Sequence, residues 1–208
     1  MAPSFLSSIP LILDELCLTF VTLQIVNAPA STQACTFDIR KFHRTCPVLP
    51  AHKPWLVVQG HPDDFYIDHD HPFGSAAASS NAGMMGNAIV DIWQAEGVRP
   101  VLKYEDDLKV FRSPTTSGPY HQDNFTYDYD HVEALRRIAP LQVPWHTEKG
   151  DSIFVFITNF IGYHWDIPNR CVSLPEEKRL KFLDRVCVFT EHFNGHTCSL
   201  LDIEKIYG

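Results

Sequence analysis

Three acidic residues, Glu105, Asp106 and Asp107, lie in a polar turn between two apolar segments. Residues 98–102 lead into this turn and residues 108–111 lead out of it, which predicts a β-hairpin. Carboxylates crowded at one turn repel each other, and a bound divalent cation would relieve that repulsion. Hard-metal ligands at a hairpin tip suggest phosphoryl-transfer chemistry. Alone, the run is explained as simply by a solvated acidic turn, because Asp is common in turns.

The composition indicates a globular protein with one substantial core. The chain has 208 residues, of which 45% are hydrophobic and 20% are charged. This length predicts one domain plus part of another. The formal net charge of -8 has the wrong sign for a simple basic nucleic-acid-binding domain. Any contact with nucleic acid must therefore be local, screened by metal ions, or supplied by other parts of a longer protein.

The cysteines and the apolar runs predict an intracellular protein without a membrane partner. Six cysteines are scattered without a CxxC pair, which is typical of reduced thiols. The apolar stretch over residues 5–26 is interrupted by Asp14 and Glu15 and lacks a basic region before it, so a signal peptide is only a minor alternative. The other apolar runs are too short to cross a bilayer.

Hydrophobic periodicity and breaker residues predict strands and helices in a mixed order. Before the acidic hairpin we expect a buried helix over 12–26, a strand over 34–39, a hairpin of strands 55–59 and 65–68, and a helix of small residues ending at Gly97. After it we expect a loop over 113–128, a helix over 130–138, strands within 151–165 around Gly162, and helices over 175–192 and 199–206. The chain ends at Gly208 without a cap or linker, which predicts a fragment of a longer protein.

This order of elements resembles the palm of template-directed polymerases, in which a split βαβ sheet holds metal-binding aspartates on neighbouring strands. Five segments make the resemblance specific to the reverse transcriptases of retroelements: Thr36-Phe37-Asp38-Ile39, His71-Pro72-Phe73-Gly74 with the small residues after it, Tyr104-Glu105-Asp106-Asp107, Trp145-His146-Thr147-Glu148-Lys149-Gly150, and Phe160-Ile161-Gly162-Tyr163-His164-Trp165. Each segment alone is a weak signal. Their joint order over residues 36–189 is a strong one.

The resemblance implies an α+β fold of the polymerase palm type: an antiparallel sheet with helices on one face, followed by the start of a helical thumb. It divides the chain into a remnant of the fingers over 1–33, the palm over 34–158, and a primer-grip hairpin with the start of the thumb over 159–208. Residues 165–168 and 174–179 look most like transposons that integrate with a tyrosine recombinase.

The resemblance also implies DNA synthesis from dNTPs on a primed RNA or DNA template, with two Mg²⁺ or Mn²⁺ ions as cofactors. In such a two-metal mechanism, carboxylates from separate strands must converge on the ions. Asp38 and Asp106 would bridge both ions, and Asp107 would be a weaker ligand or an electrostatic helper. The backbone carbonyl of Ile39 would face the metal. Lys149 would neutralise or protonate the leaving pyrophosphate.

Two further groups of residues follow from the same resemblance. The nucleotide and template would contact Arg40, Lys41, Phe42, His43, Pro72, Phe73, Gly74, Ser79, Asn81 and Tyr104. The primer would contact Phe160, Ile161, Gly162, Tyr163 and Trp165. Phe42 and His43 compete for the position that discriminates between sugars, so the sugar selectivity is open at this point.

Two alternatives remain. One is a His/Asp metallohydrolase, which the polar cluster His61, Asp63, Asp64, Asp68, His69, Asp70 and His71 would serve by metal ligation, although its spacing matches neither HExxH nor a zinc set of Cys and His. The other is a non-catalytic remnant or a domesticated nucleic-acid-binding palm. It is suggested because most of the fingers expected ahead of Asp38 are missing, as are RNase H and integration modules. Those missing modules are the expected partners within a longer polyprotein.

Overall fold

The computed structural model describes residues 9–72, 74, 75, 77–115 and 125–207. Within these ranges the chain forms five α-helices: α1 (Ile9–Val26), α2 (Ala78–Ala95), α3 (His131–Arg137), α4 (Glu176–Phe193) and α5 (Leu200–Tyr207). It forms eight strands: β1 (Gln33–Asp38), β2 (Val57–His61), β3 (Asp64–Ile67), β4 (Val101–Tyr104), β5 (Asp107–Arg112), β6 (Ile157–Phe160), β7 (Tyr163–Asp166) and β8 (Cys171–Ser173). The α+β class predicted from the sequence is confirmed.

A three-stranded sheet in the order β1-β5-β4 forms the centre of the molecule. Because β5 pairs antiparallel with both neighbours, β1 and β4 run in the same direction on either side of it. The chain between β1 and β4 passes through α2, so these elements form a split βαβ arrangement. In the β1–β5 register Asp38 lies opposite Asp107 and Thr36 lies opposite Lys109. The predicted strand and acidic hairpin are both present.

Apolar clusters cover both faces of this sheet. On one face Phe37 and Leu108 pack with Trp93 of α2 and Ala134 of α3. On the other face Ala34 and Phe111 pack with Val21 of α1 and with Phe160 and Trp165 of the β6–β7 hairpin. The prediction that helices lie on one face is therefore wrong for α1. Its Val21 and Ile25 are both buried and need an apolar surface of their own, which the second face of the sheet provides.

Strands β6, β7 and β8 form a second antiparallel sheet, and β2 with β3 forms a separate hairpin. Strand β8 has no counterpart among the predicted elements. The domain boundary expected between residues 158 and 159 falls inside β6, whose Thr158 contacts the central sheet. Five of the cysteines in the described ranges have free thiols: Cys35, Cys46, Cys171, Cys187 and Cys198.

Helix α4 and the β2–β3 hairpin pack little of their apolar surface. Leu180, Leu183 and Val188 of α4 are exposed, as are Phe65 and Tyr66 of β3. Both elements form where the sequence predicts them, including the helical segment after Pro175. None of the helices in the described ranges has the length and apolar character needed to cross a membrane.

Candidate active site

Two carboxyl groups meet at one end of the central sheet. Asp38 ends β1 and Asp107 begins β5, and the two residues lie directly opposite each other in the β1–β5 register. Burial, followed by the charges of Asp106 and Asp38, raises the pKa of Asp107 to about 6. Burial also raises the pKa of Asp38, an effect that Lys149 opposes. The site therefore concentrates more negative charge than its neighbours neutralise.

The tip of the acidic hairpin is fastened to β1. The backbone carbonyl of Asp106 accepts a hydrogen bond from the Ile39 amide at 3.0 Å. Glu105 takes a positive φ of 50° at the tip, which a tight turn of this kind requires. Asp106 therefore faces the same cleft as Asp38. This arrangement brings together the three aspartates selected from the sequence.

Lys149 lies beside this pair, with its Nζ atom 4.0 Å from Oδ2 of Asp38. The segment that carries it is bonded along β1: the His146 amide donates to the Asp38 carbonyl at 2.9 Å, and the Asp151 amide donates to the Thr36 carbonyl at 2.9 Å. Gly150 permits this approach. Its φ is +79°, and a Cβ atom there would lie 2.5 Å from the Thr36 carbonyl oxygen.

A cleft of about 1530 Å³ opens above these residues. Asp38 and Asp106 line it together with Arg40 and Lys41, so acidic and basic groups share one cavity. Five of the predicted nucleotide and template residues line this cleft: Arg40, Lys41, Phe42, His43 and Ser79. The arrangement suits a polyanionic ligand with a cation between it and the carboxylates.

Phe42 and His43 have different environments. Phe42 is only 3% exposed and belongs to the core on the α2 face. Its ring packs against Gly86, where a Cβ atom would lie 3.5 Å from Cζ of Phe42. His43 is partly exposed, and its Nε2 atom lies 3.2 Å from the Ser79 hydroxyl across the cleft wall. His43 is therefore the better placed of the two to meet a ligand.

Other predicted nucleotide and template residues lie away from the cleft lining. Tyr104 packs with the cluster that contains α1, because its position in β4 directs it to that face. Asn81 contacts Nε2 of His71 at 2.9 Å. Pro72 and Gly74 are also absent from the lining, and Phe73 lies outside the described residues.

The predicted primer-grip residues divide between the core and the surface. Phe160 and Trp165 are each 3% exposed, and the Trp165 indole donates to the Phe160 carbonyl at 3.1 Å. Their side chains hold the hairpin to the central sheet and are not available to a primer. Ile161 and Gly162 form the turn, and Tyr163 is half-buried next to it. Only these three can present a surface to a ligand.

The sequence analysis did not select His146, which is half-buried and lines the cleft. Its charge is among the influences that lower the pKa of Asp38. The signal was its position in the same six-residue segment as Lys149. Lys109 and Asp151 were also missed. A lysine within the apolar run from Leu108 to Phe111, two positions after Asp107, was the available signal for Lys109.

The donor chemistry of the site suits a hard divalent cation, because all three side chains offer carboxylate oxygens and burial together with mutual repulsion raises the pKa of two of them. In the described ranges, however, no three His, Cys, Asp or Glu side chains surround a common point as metal ligands would. The same finding leaves the metallohydrolase alternative without a site. Two residues of the His/Asp cluster contact basic side chains: Asp68 pairs with Arg44, and His69 contacts Lys53.

Comparison with solved structures identifies the fold. No protein-family model matches the sequence, and no curated protein matches it significantly. The foamy viral protease-reverse transcriptase in complex with dsDNA superposes with a TM-score of 0.54 at 14% identity, over 90% of this chain and 34% of that chain. Its complex with an RNA/DNA hybrid gives 0.54 at 12% identity, over 90% of this chain and 22% of that chain. A truncated apo telomerase from Candida tropicalis is a weaker match, with a TM-score of 0.44 at 12% identity over 78% of this chain and 39% of that chain.

The similarities to the foamy viral proteins show a reverse-transcriptase-like, nucleic-acid polymerase-like fold. The chain spans about a third or less of the length of the foamy viral proteins that it matches.

Proposed function

We propose that this chain is the palm of a reverse transcriptase, an RNA-directed DNA polymerase that joins dNTPs to a primer on an RNA or DNA template. The observation that carries the proposal is the meeting of Asp38 and Asp107 from neighbouring strands, next to Asp106 and below the large cleft. The fold supports it, and so does the fact that the foamy viral enzymes were solved with dsDNA and with an RNA/DNA hybrid.

The site residues have distinct roles in this proposal. Asp38 and Asp106 would hold two Mg²⁺ or Mn²⁺ ions, and Asp107 and the Ile39 carbonyl would supply further oxygen ligands. The chemistry that such ions supply when bound is activation of the primer 3′-hydroxyl and stabilisation of the leaving pyrophosphate. Because burial and the charges of Asp106 and Asp38 raise the pKa of Asp107 to about 6, Asp107 would be available as a carboxylate ligand only above about that pH.

Lys149 acts on the leaving pyrophosphate. Its ammonium group offsets the charge of Asp38 in the free protein, and its side chain is 63% exposed, so a pyrophosphate in the cleft can reach it there. Neutralising or protonating the leaving group is a role of general-acid type. Arg40 and Lys41 line the same cleft and bind the phosphates of the incoming nucleotide.

The finer identity of the protein belongs to the same proposal. The sequence motifs support a retroelement origin with a tyrosine recombinase as the integration enzyme, and the scattered cysteines support an intracellular location. The fingers, RNase H and integration modules of a longer polyprotein would then be its partners.

Primer extension tests the proposal directly. Purified protein is given poly(rA)/oligo(dT), dTTP and either Mg²⁺ or Mn²⁺, and the wild type is compared with Asp106→Asn. We expect extension by the wild type and a loss of about 10²-fold or more in the variant. Asp91→Asn, on the exposed surface of α2, is the matched control and should extend normally. Extension that survives in Asp106→Asn would overturn the proposed roles.

A non-catalytic nucleic-acid-binding palm is the second candidate. It is favoured by one observation: within the described ranges, the three aspartates are not disposed around a common point as metal ligands would be. Binding of an RNA/DNA hybrid without any extension in either metal would support this candidate and contradict the catalytic one.

A further inference from the structure

Lys109 is a charged side chain inside the protein. It is 1% exposed in the middle of β5. Its Nζ atom donates to the Thr36 hydroxyl at 2.7 Å and to the Thr158 hydroxyl, and it lies 3.6 Å from Oδ2 of Asp151. The ring centroid of Phe160 is 5.6 Å away. A buried ammonium group is costly unless it is paired and hydrogen-bonded, so these contacts are what make its position tenable.

Asp151 joins the same elements from the opposite side. Its Oδ2 atom accepts hydrogen bonds from the Thr36 amide at 2.8 Å and from the Thr158 hydroxyl at 3.0 Å. Its side chain is 26% exposed, so solvent reaches this end of the pair. Together Lys109 and Asp151 bind the central sheet to β6 and to the segment that carries Lys149.

Lys109, Asp151, Thr36 and Thr158 form a hydrogen-bonded network that lies next to the site carboxylates along the strands. Three site residues each have a network residue two positions away on the same segment: Asp38 and Thr36, Asp107 and Lys109, Lys149 and Asp151. Alternate side chains of a strand point to the same face, and Thr36 pairs with Lys109 as Asp38 pairs with Asp107. The Asp38–Asp107 pair of the site and the Thr36–Lys109 pair of the network are therefore neighbours on the same face of β1 and β5.

We propose that Lys109 and Asp151 are positioning residues. Their ion pair holds segment 149–151 and β6 against β1 and β5, which keeps the Lys149 amine beside Asp38. An apolar pair could fill the same space, but directional hydrogen bonds also fix how the segment lies along β1. The catalytic meaning of this placement depends on the proposed function, whereas the placement itself does not.

A double-mutant cycle of thermal unfolding midpoints tests the pair. Asp151→Asn leaves Lys109 charged and buried without a counter-charge, so we expect a fall on the order of 10 °C. Lys109→Met should cost less, because the Asp151 carboxylate that it leaves unpaired reaches solvent. Adding Lys109→Met to Asp151→Asn should restore part of the lost stability. Additive midpoints would overturn the ion pair.

A chemical probe tests the positioning. Each protein is treated with a limiting amount of an amine-acylating reagent, and the modification of Lys149 is measured by peptide mass spectrometry relative to exposed Lys205. We expect severalfold faster acylation of Lys149 in Lys109→Met and in Asp151→Asn, because the amine is no longer held beside Asp38. An unchanged Lys149 rate in both variants would overturn the proposal.

Arg112→Met is the matched control for loss of stability. Arg112 lies on the same strand, between the rings of Tyr127 and Phe154, and bonds to Gln33 away from the site. Its removal should lower the midpoint without changing the Lys149 rate. An equal rise of that rate in Arg112→Met would show general loosening and would also overturn the proposal. Neither measurement needs polymerase activity, so a failed primer extension contradicts the proposed function alone.

Discussion

Asp38 and Asp107 are cross-strand neighbours at the end of the β1–β5 pair, where burial and then the charges of Asp106 and Asp38 raise the pKa of Asp107 to about 6. Below about pH 6 the folded protein therefore keeps a proton on Asp107 that an exposed aspartate would already have lost. Ionisation of this partly buried group therefore lowers the free energy of unfolding.

The first prediction concerns stability and pH. The pKa of Asp107 is about 6 in the folded protein, whereas an aspartate in the unfolded chain has its ordinary pKa of about 3.9. Between these values the unfolded state has lost the proton that the folded state keeps, so the free energy of unfolding falls as pH rises from about 4 to 6. After discounting for solvent screening, the loss is about 1–2 kcal/mol. Urea unfolding at pH 4.5 and pH 7 measures it.

Asp107→Asn removes this titrating group and should flatten the stability profile over that range. If Mg²⁺ binds at the site, it should also raise the unfolding midpoint of the wild type at pH 7 more than that of the variant, because a ligand of the folded state stabilises it. A wild-type profile that rises with pH from 4 to 6 would contradict the assigned cause.

The second prediction concerns Gly150, whose approach to β1 places Lys149. Gly150→Ala combines a positive φ with a Cβ atom 2.5 Å from the Thr36 carbonyl oxygen. We expect a loss of about 2–4 kcal/mol in the free energy of unfolding, since backbone strain and a steric clash add. Gly195→Ala is the control: its φ is +74°, but its Cβ would meet no atom within 4 Å. The control should lose only about 1 kcal/mol.

The sequence predicts the elements better than it predicts side-chain environments. Strand β1 and the acidic hairpin follow from their own apolar patterns and turn residues, so both form where expected. Alternation along a strand does not reveal which face a second layer will cover. Phe160 and Trp165 were therefore expected at a primer surface, yet α1 and the sheet bury them. Lys109 was missed for the same reason, because its partners come from segments 42 or more residues away along the chain.

The third prediction separates Phe42 from His43. Phe42→Ala opens the core against α2 and should cost about 3–5 kcal/mol of stability. His43→Ala removes a cleft residue and should change stability by less than about 1 kcal/mol. If the chain extends primers, His43→Ala should raise incorporation of ribonucleotides relative to deoxyribonucleotides. The ratio of the two rates of incorporation at equal concentrations measures this, and an unchanged ratio would remove His43 from sugar selection.

The fourth prediction concerns the role of Lys149. Its Nζ atom is 4.0 Å from Asp38 but its side chain is largely exposed, so it contributes little to folding and is able to serve a departing pyrophosphate. Lys149→Met should therefore leave the unfolding midpoint within a few degrees of the wild type. It should lower the rate of nucleotide addition by about 10²-fold, the usual contribution of a general acid.

Lys149→Arg keeps the charge but gives up the proton far less readily. Single-turnover extension by both variants distinguishes the two roles: recovery with arginine indicates charge neutralisation, and loss in both indicates proton donation. A normal rate in Lys149→Met would remove this residue from the mechanism.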